Sequence, residues 1–232
     1  MSGSLNLVLQ GDNSLILKTQ SNGNITVGID LNVDGGDWTW DNTTARKGSV
    51  NPILDNYRNW IGLGKLGGKN SVQSGSNVGL GAGGGNFRVE GTLESDGLRW
   101  KGGGGGYGSA GQYASTGFGQ PYGSATLAHL HGGSGGGGGH WTGAGAGGGA
   151  LSLEAHGDGN LTILSGVTIS ANGGITSERD NDRQGGGGSG GSLRFAGNNI
   201  TNNGTISAKG GTDIKIPTGG RGRVAFNFKN NL

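Results

Sequence analysis

The chain has 232 residues, and 59 of them are Gly, about a quarter of the total where ~7% is usual. Only 3 Pro are present and Gly follows no sustained every-third-residue register, which excludes collagen. A balance of 17 basic against 15 acidic residues leaves a net charge of +2, far from the high charge of a disordered polyelectrolyte.

The opening Met1-Ser2-Gly3-Ser4 lacks the basic-then-apolar layout of a signal peptide, so the chain is read as a fragment of a longer one or, second, as a protein that never uses that export route. Leu5, Leu7 and Leu9 then alternate with polar residues, the period of a strand with one apolar face. Residues 14–33 (SLILKTQSNGNITVGIDLNV) align without a gap to residues 150–169 (ALSLEAHGDGNLTILSGVTI) at an offset of 136. Leu15/Leu151, Leu17/Leu153, Gly23/Gly159, Asn24/Asn160 and Thr26/Thr162 are identical, and Leu31/Val167 and Val33/Ile169 are conservative. Residues 1–36 are therefore read as N-terminal repeat strands. Residues 37–85, with Trp38, Trp40, Tyr57, Trp60 and Asn51-Pro52, read as an insertion. Residues 86–232 form a Gly-rich repeat region, continuous with the first in one elongated domain.

Within that region, residues 86–93 (NFRVEGTL) read as a partial repeat, and 107–134 as a second excursion carrying Tyr107, Tyr113 and Tyr122. A third full copy runs from Leu193 to Gly211, its 204–211 segment matching 166–174 with one residue of slack. Another partial copy spans 220–226, and Val224, Phe226 and Phe228 alternate close to the C-terminus. Repeats outweigh any single motif here. Short runs of period two, punctuated by Asn-Gly, Asp-Gly and Gly-Gly turns, predict an all-β, β-solenoid-like stack of short strands. Gly runs at 102–106, 135–139, 147–149 and 185–188 read either as flexible linkers or as packed polyproline-II-type (polyglycine) segments. Their constant placement just before strands, as in GGGALSL (147–153) and GGSLRF (190–195), favours packing.

The segments GSATLAHLHGGSGGGGG (123–139), GGGALSLEAHGDGNLTI (147–163), ISANGG (169–174) and GGGGSGGSLRFAGNNITNNGTISAKGG (185–211) resemble the Gly-rich tandem repeats of large bacterial cell-surface and secreted proteins. The resemblance covers residues 102–226 well and 5–36 loosely. It implies an extracellular or cell-surface, repeat-built structural or adhesive part and brings no catalytic residues. By composition the chain is also similar to bacteriophage adhesins that pack polyglycine II helices, which would place it on a virion.

Candidate chemistry is sparse. His129 and His131, one residue apart, would share a strand face and with His140 or His156 could hold Zn or Cu. Asp30, Asp34, Asp37 and Asp41 surround Trp38 and Trp40; the oxygens suit Ca²⁺, but the spacing matches no known calcium loop. Solvated turn carboxylates are the simpler reading of the Asp set, and polar loop residues that of the His pair, so no cofactor is expected. Indole faces beside carboxylates also suit a sugar, which makes Trp38, Trp40, Trp60, Tyr107, Tyr113 and Tyr122 candidate contacts for a glycan or cell-surface receptor. Glu90, Glu94 and Asp96 are carboxylates without a defined partner, no nucleophile elbow occurs, and no phosphate-binding loop ends in Gly-Lys-[Ser/Thr]. No enzyme is expected. Scattered Lys and Arg argue against nucleic acid, and no apolar run approaches the ~18 residues of a membrane span. The expected partner is a second copy of the chain, met through the terminal strand edges Leu5, Leu7, Leu9 and Val224, Phe226, Phe228.

Overall fold

The computed structural model describes residues 13–37, 79–90, 99–112, 117–139, 143–176, 183–212 and 218–229. Its strands are β1 (Leu15–Lys18), β2 (Ile25–Val27), β3 (Leu31–Asn32), β4 (Phe87–Glu90), β5 (Arg99–Gly102), β6 (Ala150–Glu154), β7 (Leu161–Ile163), β8 (Thr168–Ser170), β9 (Arg183–Gln184), β10 (Ser192–Gly197), β11 (Ile200–Asn202), β12 (Thr205–Ser207) and β13 (Arg223–Phe228). The fold is all-β. Three sheets are wholly parallel: β1-β6-β10-β13, β11-β7-β2 and β12-β8-β3. Each coil of chain (β1–β3, β6–β8, β10–β12) thus gives one strand to each sheet, and β13 begins a fourth.

Register turns the repeated sequence into ladders of like side chains. Leu15, Leu151, Leu193 and Val224 stand in line, as do Leu17, Leu153, Phe195 and Phe226. Ile25, Leu161 and Ile200 line the second sheet, and Leu31, Ile169 and Ile206 the third. The middle rungs (Leu151, Leu153, Leu161, Ile163, Ile169, Leu193, Phe195) are fully buried in one apolar cluster. Each such side chain contributes about 1.5–3 kcal/mol on leaving water. A thin core suffices because successive coils share it.

The gapless alignment fails at the third strand. It pairs Leu31 with Val167 and Val33 with Ile169, whereas the structure pairs Leu31 with Ile169. The second coil carries two extra residues in its β7–β8 turn. A slip of two keeps every side chain on its face, so alternation cannot detect it. The partial repeat at 86–93 is also corrected. Phe87–Glu90 pairs antiparallel with β5 in a separate sheet, β4-β5-β9, outside the stack.

The Gly-rich segments are a second ordered region. Stretches 103–106, 132–139, 143–149 and 185–191 are buried throughout. Along 185–191 the bonding direction repeats every three residues. Gly186 and Ser189 donate to Gly137 and Ser134 of one neighbouring segment (both 2.9 Å). Gly188 and Gly191 donate to Gly174 and Ala171 of another, and Gly190 donates to Gly220 of a third. The Gly186 and Ser189 carbonyls accept from Gly145 and Gly148, that of Gly187 from Gly105, and that of Gly188 from Gly211. This one segment is therefore bonded sideways to 103–106, 132–139, 143–149, 171–174, 208–212 and 218–222. The buried backbone polar groups are satisfied between segments, not within them.

The two regions are continuous. Each coil runs out of its third strand into a Gly-rich segment and returns through another into the next coil. The outgoing and returning pairs lie antiparallel: Ala146 and Gly149 donate to Gly36 and Val33, and Gly219 and Gly222 to Gly211 and Ala208. Close approach makes side chains unaffordable at many positions. A Cβ built on Gly188 would stand 1.9 Å from the Ala146 carbonyl oxygen, and one on Gly219 1.8 Å from that of Gly188.

Candidate functional site

Two of the tyrosines selected from the sequence, Tyr107 and Tyr122, meet at the junction of strands and Gly segments. Tyr107 follows Gly106 directly and is fully buried. Its hydroxyl lies 2.6 Å from Ser192 Oγ, which donates to the His131 carbonyl at 2.5 Å, so Tyr107 is the donor of the pair. Tyr122 packs against it with ring centroids 4.8 Å apart and donates to the Gly132 carbonyl (2.6 Å). The Arg223 guanidinium sits 5.0 Å above the Tyr107 ring. Burial pushes the Tyr107 hydroxyl up, against the Ser192 hydrogen bond and the Arg223 charge. Burial likewise pushes Tyr122 up to about 12. Tyr107 is a packing element turned inward and Tyr122 lies half-buried against it, where surface contacts for a glycan were expected.

Two serines missed by the sequence reading complete this junction. Ser189 Oγ accepts the Ser134 N–H (2.8 Å) and donates to the Gly106 carbonyl (3.2 Å). Ser134 Oγ donates to the Tyr122 hydroxyl (3.1 Å) and accepts the Gly83 N–H (3.0 Å). A lone Ser adjoining two of the Gly runs, 135–139 and 185–188, was the available signal. These hydroxyls meet backbone groups and phenols; Ser192 bonds the His131 carbonyl, not its imidazole.

The candidate metal ligands stay apart. Asp34 Oδ1 accepts the Asn172 N–H (2.6 Å), and Asp37 Oδ1 the Ile175 N–H (2.8 Å). Asp30 does the same for Thr168 (2.6 Å). The carboxylates of the first coil thus cap backbone donors of the second. Asn24 likewise accepts the Asn160 N–H (2.8 Å), and Asn199 Nδ2 donates to Asn160 Oδ1 (2.9 Å), forming an amide ladder. The repeated Asn-x-Thr signature encodes that ladder together with the Thr26, Thr162, Thr201 row. His129 and His131 are exposed. Among the described residues no three His, Asp or Glu side chains gather.

The terminal edges are half visible. Val224, Phe226 and Phe228 are 40%, 42% and 38% exposed on the last strand of the first sheet. At the other end of that sheet Ile16 and Leu17 of β1 are exposed as well. Leu5, Leu7, Leu9, Trp38, Trp40, Asp41, Trp60, Glu94, Asp96, Tyr113 and His140 lie outside the described residues. Among the described residues no helix is long and apolar enough to cross a membrane. No family model, no curated protein and no solved structure matches this chain.

Proposed function

We propose that this chain is a short β-solenoid whose coils close through a polyglycine II bundle, and that it acts as a non-enzymatic, self-associating structural module outside the cell. A threefold repeat of bonding direction is what a backbone with three residues per turn and no internal hydrogen bonds requires, which supports the polyglycine reading. The resemblance of segments 123–139 and 185–211 to bacterial surface repeats supports the location.

The observation that carries self-association is the open end of the first sheet. Val224 and Phe226 occupy the same ladder positions as Leu15 and Leu17, yet no rung is seated beyond them among the described residues. Phe226 stacks on Phe195 at 5.3 Å with its outer face left to water. A strand edge with free N–H and C=O groups and an apolar row templates a further parallel strand. The first-coil end of a second copy offers the matching row. Such a head-to-tail contact does not close on itself and grows an open filament.

Negative-stain electron microscopy and sedimentation across a concentration series test this reading. Filaments or concentration-dependent oligomers of constant width are expected. Phe226→Glu and, at the strand end, Phe228→Lys should both abolish them while leaving β-type circular dichroism intact. Monomers at every concentration would overturn the reading.

A further inference from the structure

Two of the clefts among the described residues differ in the kind of charge that lines them. The first, about 230 Å³, is lined in part by Glu154, Arg194, Asn227 and Lys229. Its cations are already matched, Arg194 to Glu154 at 2.9 Å and Lys229 to Asp158. The second, about 550 Å³, is lined by Ser109, Gln112, Lys209, Thr212, Thr218 and Arg221 with Ala110, Gly210 and Gly219 between them. Among the described residues no carboxylate lines it. Neither Lys209 nor Arg221 is in an ion pair among the described residues, and both are exposed.

The polar groups of this second cleft are held by the Gly lattice. Gln112 N–H donates to the Thr218 carbonyl (2.8 Å), and the Arg221 N–H donates to Ser109 Oγ (2.9 Å). Thr218 Oγ1 donates to Gln112 Oε1 (2.8 Å), which fixes the amide with its NH₂ group free to donate. The floor is tied by Gly219 N–H to the Gly211 carbonyl (3.0 Å) and Gly220 N–H to the Gly105 carbonyl (2.7 Å). The backbone of such a cleft has little ordering left to do on binding, so the entropic cost falls on the exposed Lys209 and Arg221 side chains.

We infer that this cleft binds an acidic saccharide, with Lys209 and Arg221 on its carboxylate or sulfate and Gln112, Thr212 and Thr218 on its hydroxyls. The two unmatched cations select negative charge, and a guanidinium can grip such a group with two parallel hydrogen bonds. The volume is in the range of small-molecule sites and exceeds what a bare anion needs. The side chains that line it among the described residues are hydroxyl, amide and cationic groups, which match a polyol better than a nucleobase that needs a ring to stack on. The inference stands apart from self-association, since the cleft lies between residues 109–112 and the outgoing and returning segments that follow β12, and no residue of β13 lines it among the described residues.

Isothermal titration calorimetry of the whole chain tests it with heparin, polygalacturonate and dextran oligosaccharides of equal length, and with inorganic sulfate. Both acidic oligosaccharides should bind and dextran should not. Lys209→Ala/Arg221→Ala should weaken binding at least tenfold with an unchanged melting temperature. The charge-keeping pair Lys209→Arg/Arg221→Lys should restore most of the affinity, and Lys229→Ala in the other cleft should change nothing. Binding that survives the double alanine change, absence of binding to both acidic oligosaccharides, or inorganic sulfate binding as tightly as heparin would each overturn the inference.

Discussion

The strand stack and the Gly bundle solve the same problem with opposite materials. In the stack, backbone groups pair within parallel sheets and large side chains such as Leu153 and Phe195 fill the interior. In the bundle, backbone groups pair in several directions around each segment, and side chains are almost absent from the interior. The stack is stabilised chiefly by apolar burial. The bundle relies on buried hydrogen bonds and backbone–backbone contact, with Cα–H···O interactions adding weakly. Mutational sensitivity should therefore invert between the two: the stack suffers when atoms are removed, the bundle when atoms are added.

Gly188→Ala is the strongest way to break that comparison. Its methyl carbon would stand 1.9 Å from a main-chain oxygen with no flexible side chain to yield. We expect destabilisation at or above about 3 kcal/mol, the upper range of ordinary overpacking, measured by urea unfolding. Leu153→Ala, which removes atoms from the stack, should cost about 2–5 kcal/mol. The reverse experiment is Ala146→Gly, which takes a buried methyl out of the bundle. It should cost no more than about 1 kcal/mol, and a larger loss would show that the bundle too depends on side-chain packing. Because every coil passes through both regions, all three variants should unfold in a single transition. Two resolved transitions would show instead that the bundle and the stack fold separately.

Register separates the regions again. Gly segments whose bonding direction repeats every three residues offer the same backbone pattern after a shift of three, so their hydrogen bonds alone cannot choose an alignment. Ser134, Ser189 and Tyr107 are the side chains placed to choose it. Ser189→Gly should cost about 1–2 kcal/mol, since the Ser134 N–H and Gly106 carbonyl lose a buried partner. It should also lower hydrogen-exchange protection across the Gly amides more than across β6. Uniform loss in both regions would remove the register role.

Legibility in the sequence followed the same division. The stack was readable because side chains carry its information: Leu151 and Leu153 alternate, and the offset of 136 aligned β1 with β6 and β2 with β7 correctly. The third strand was misaligned because a two-residue slip leaves no trace in the alternation. Phe87-Arg88-Val89-Glu90 has the right period but the wrong neighbour, since a period reports a face and not a partner. In the bundle the information lies in backbone direction, which Gly does not display. Composition flagged the runs without saying which segments meet. Tyr107 lies buried where a surface contact was expected, because an excursion rich in Gly, Ser and Tyr looks like a surface loop. Here it folds back over the first sheet, where Ser192 and Arg194 of β10 bond to the His131 and Leu127 carbonyls.

The smallest expected effect lies at that junction and appears only at high pH. Burial raises the Tyr122 pKa from 10.0 to about 12, and it also raises that of Tyr107. A phenol whose folded pKa exceeds its unfolded one holds its proton more tightly in the native state. Its contribution is fully present below pH 10 and is lost as pH rises through about 12, because the unfolded chain ionises first. Stability should therefore be flat in this respect through neutral pH and fall between pH 10 and 12. Tyr122→Phe should flatten that fall, at the cost of leaving the Gly132 carbonyl without its donor. Tyr107→Phe should flatten it less while releasing Ser192 from its phenol. If the alkaline slope is the same in both variants as in the parent chain, the two rings ionise freely in the folded state and the junction is more open to water than its packing implies.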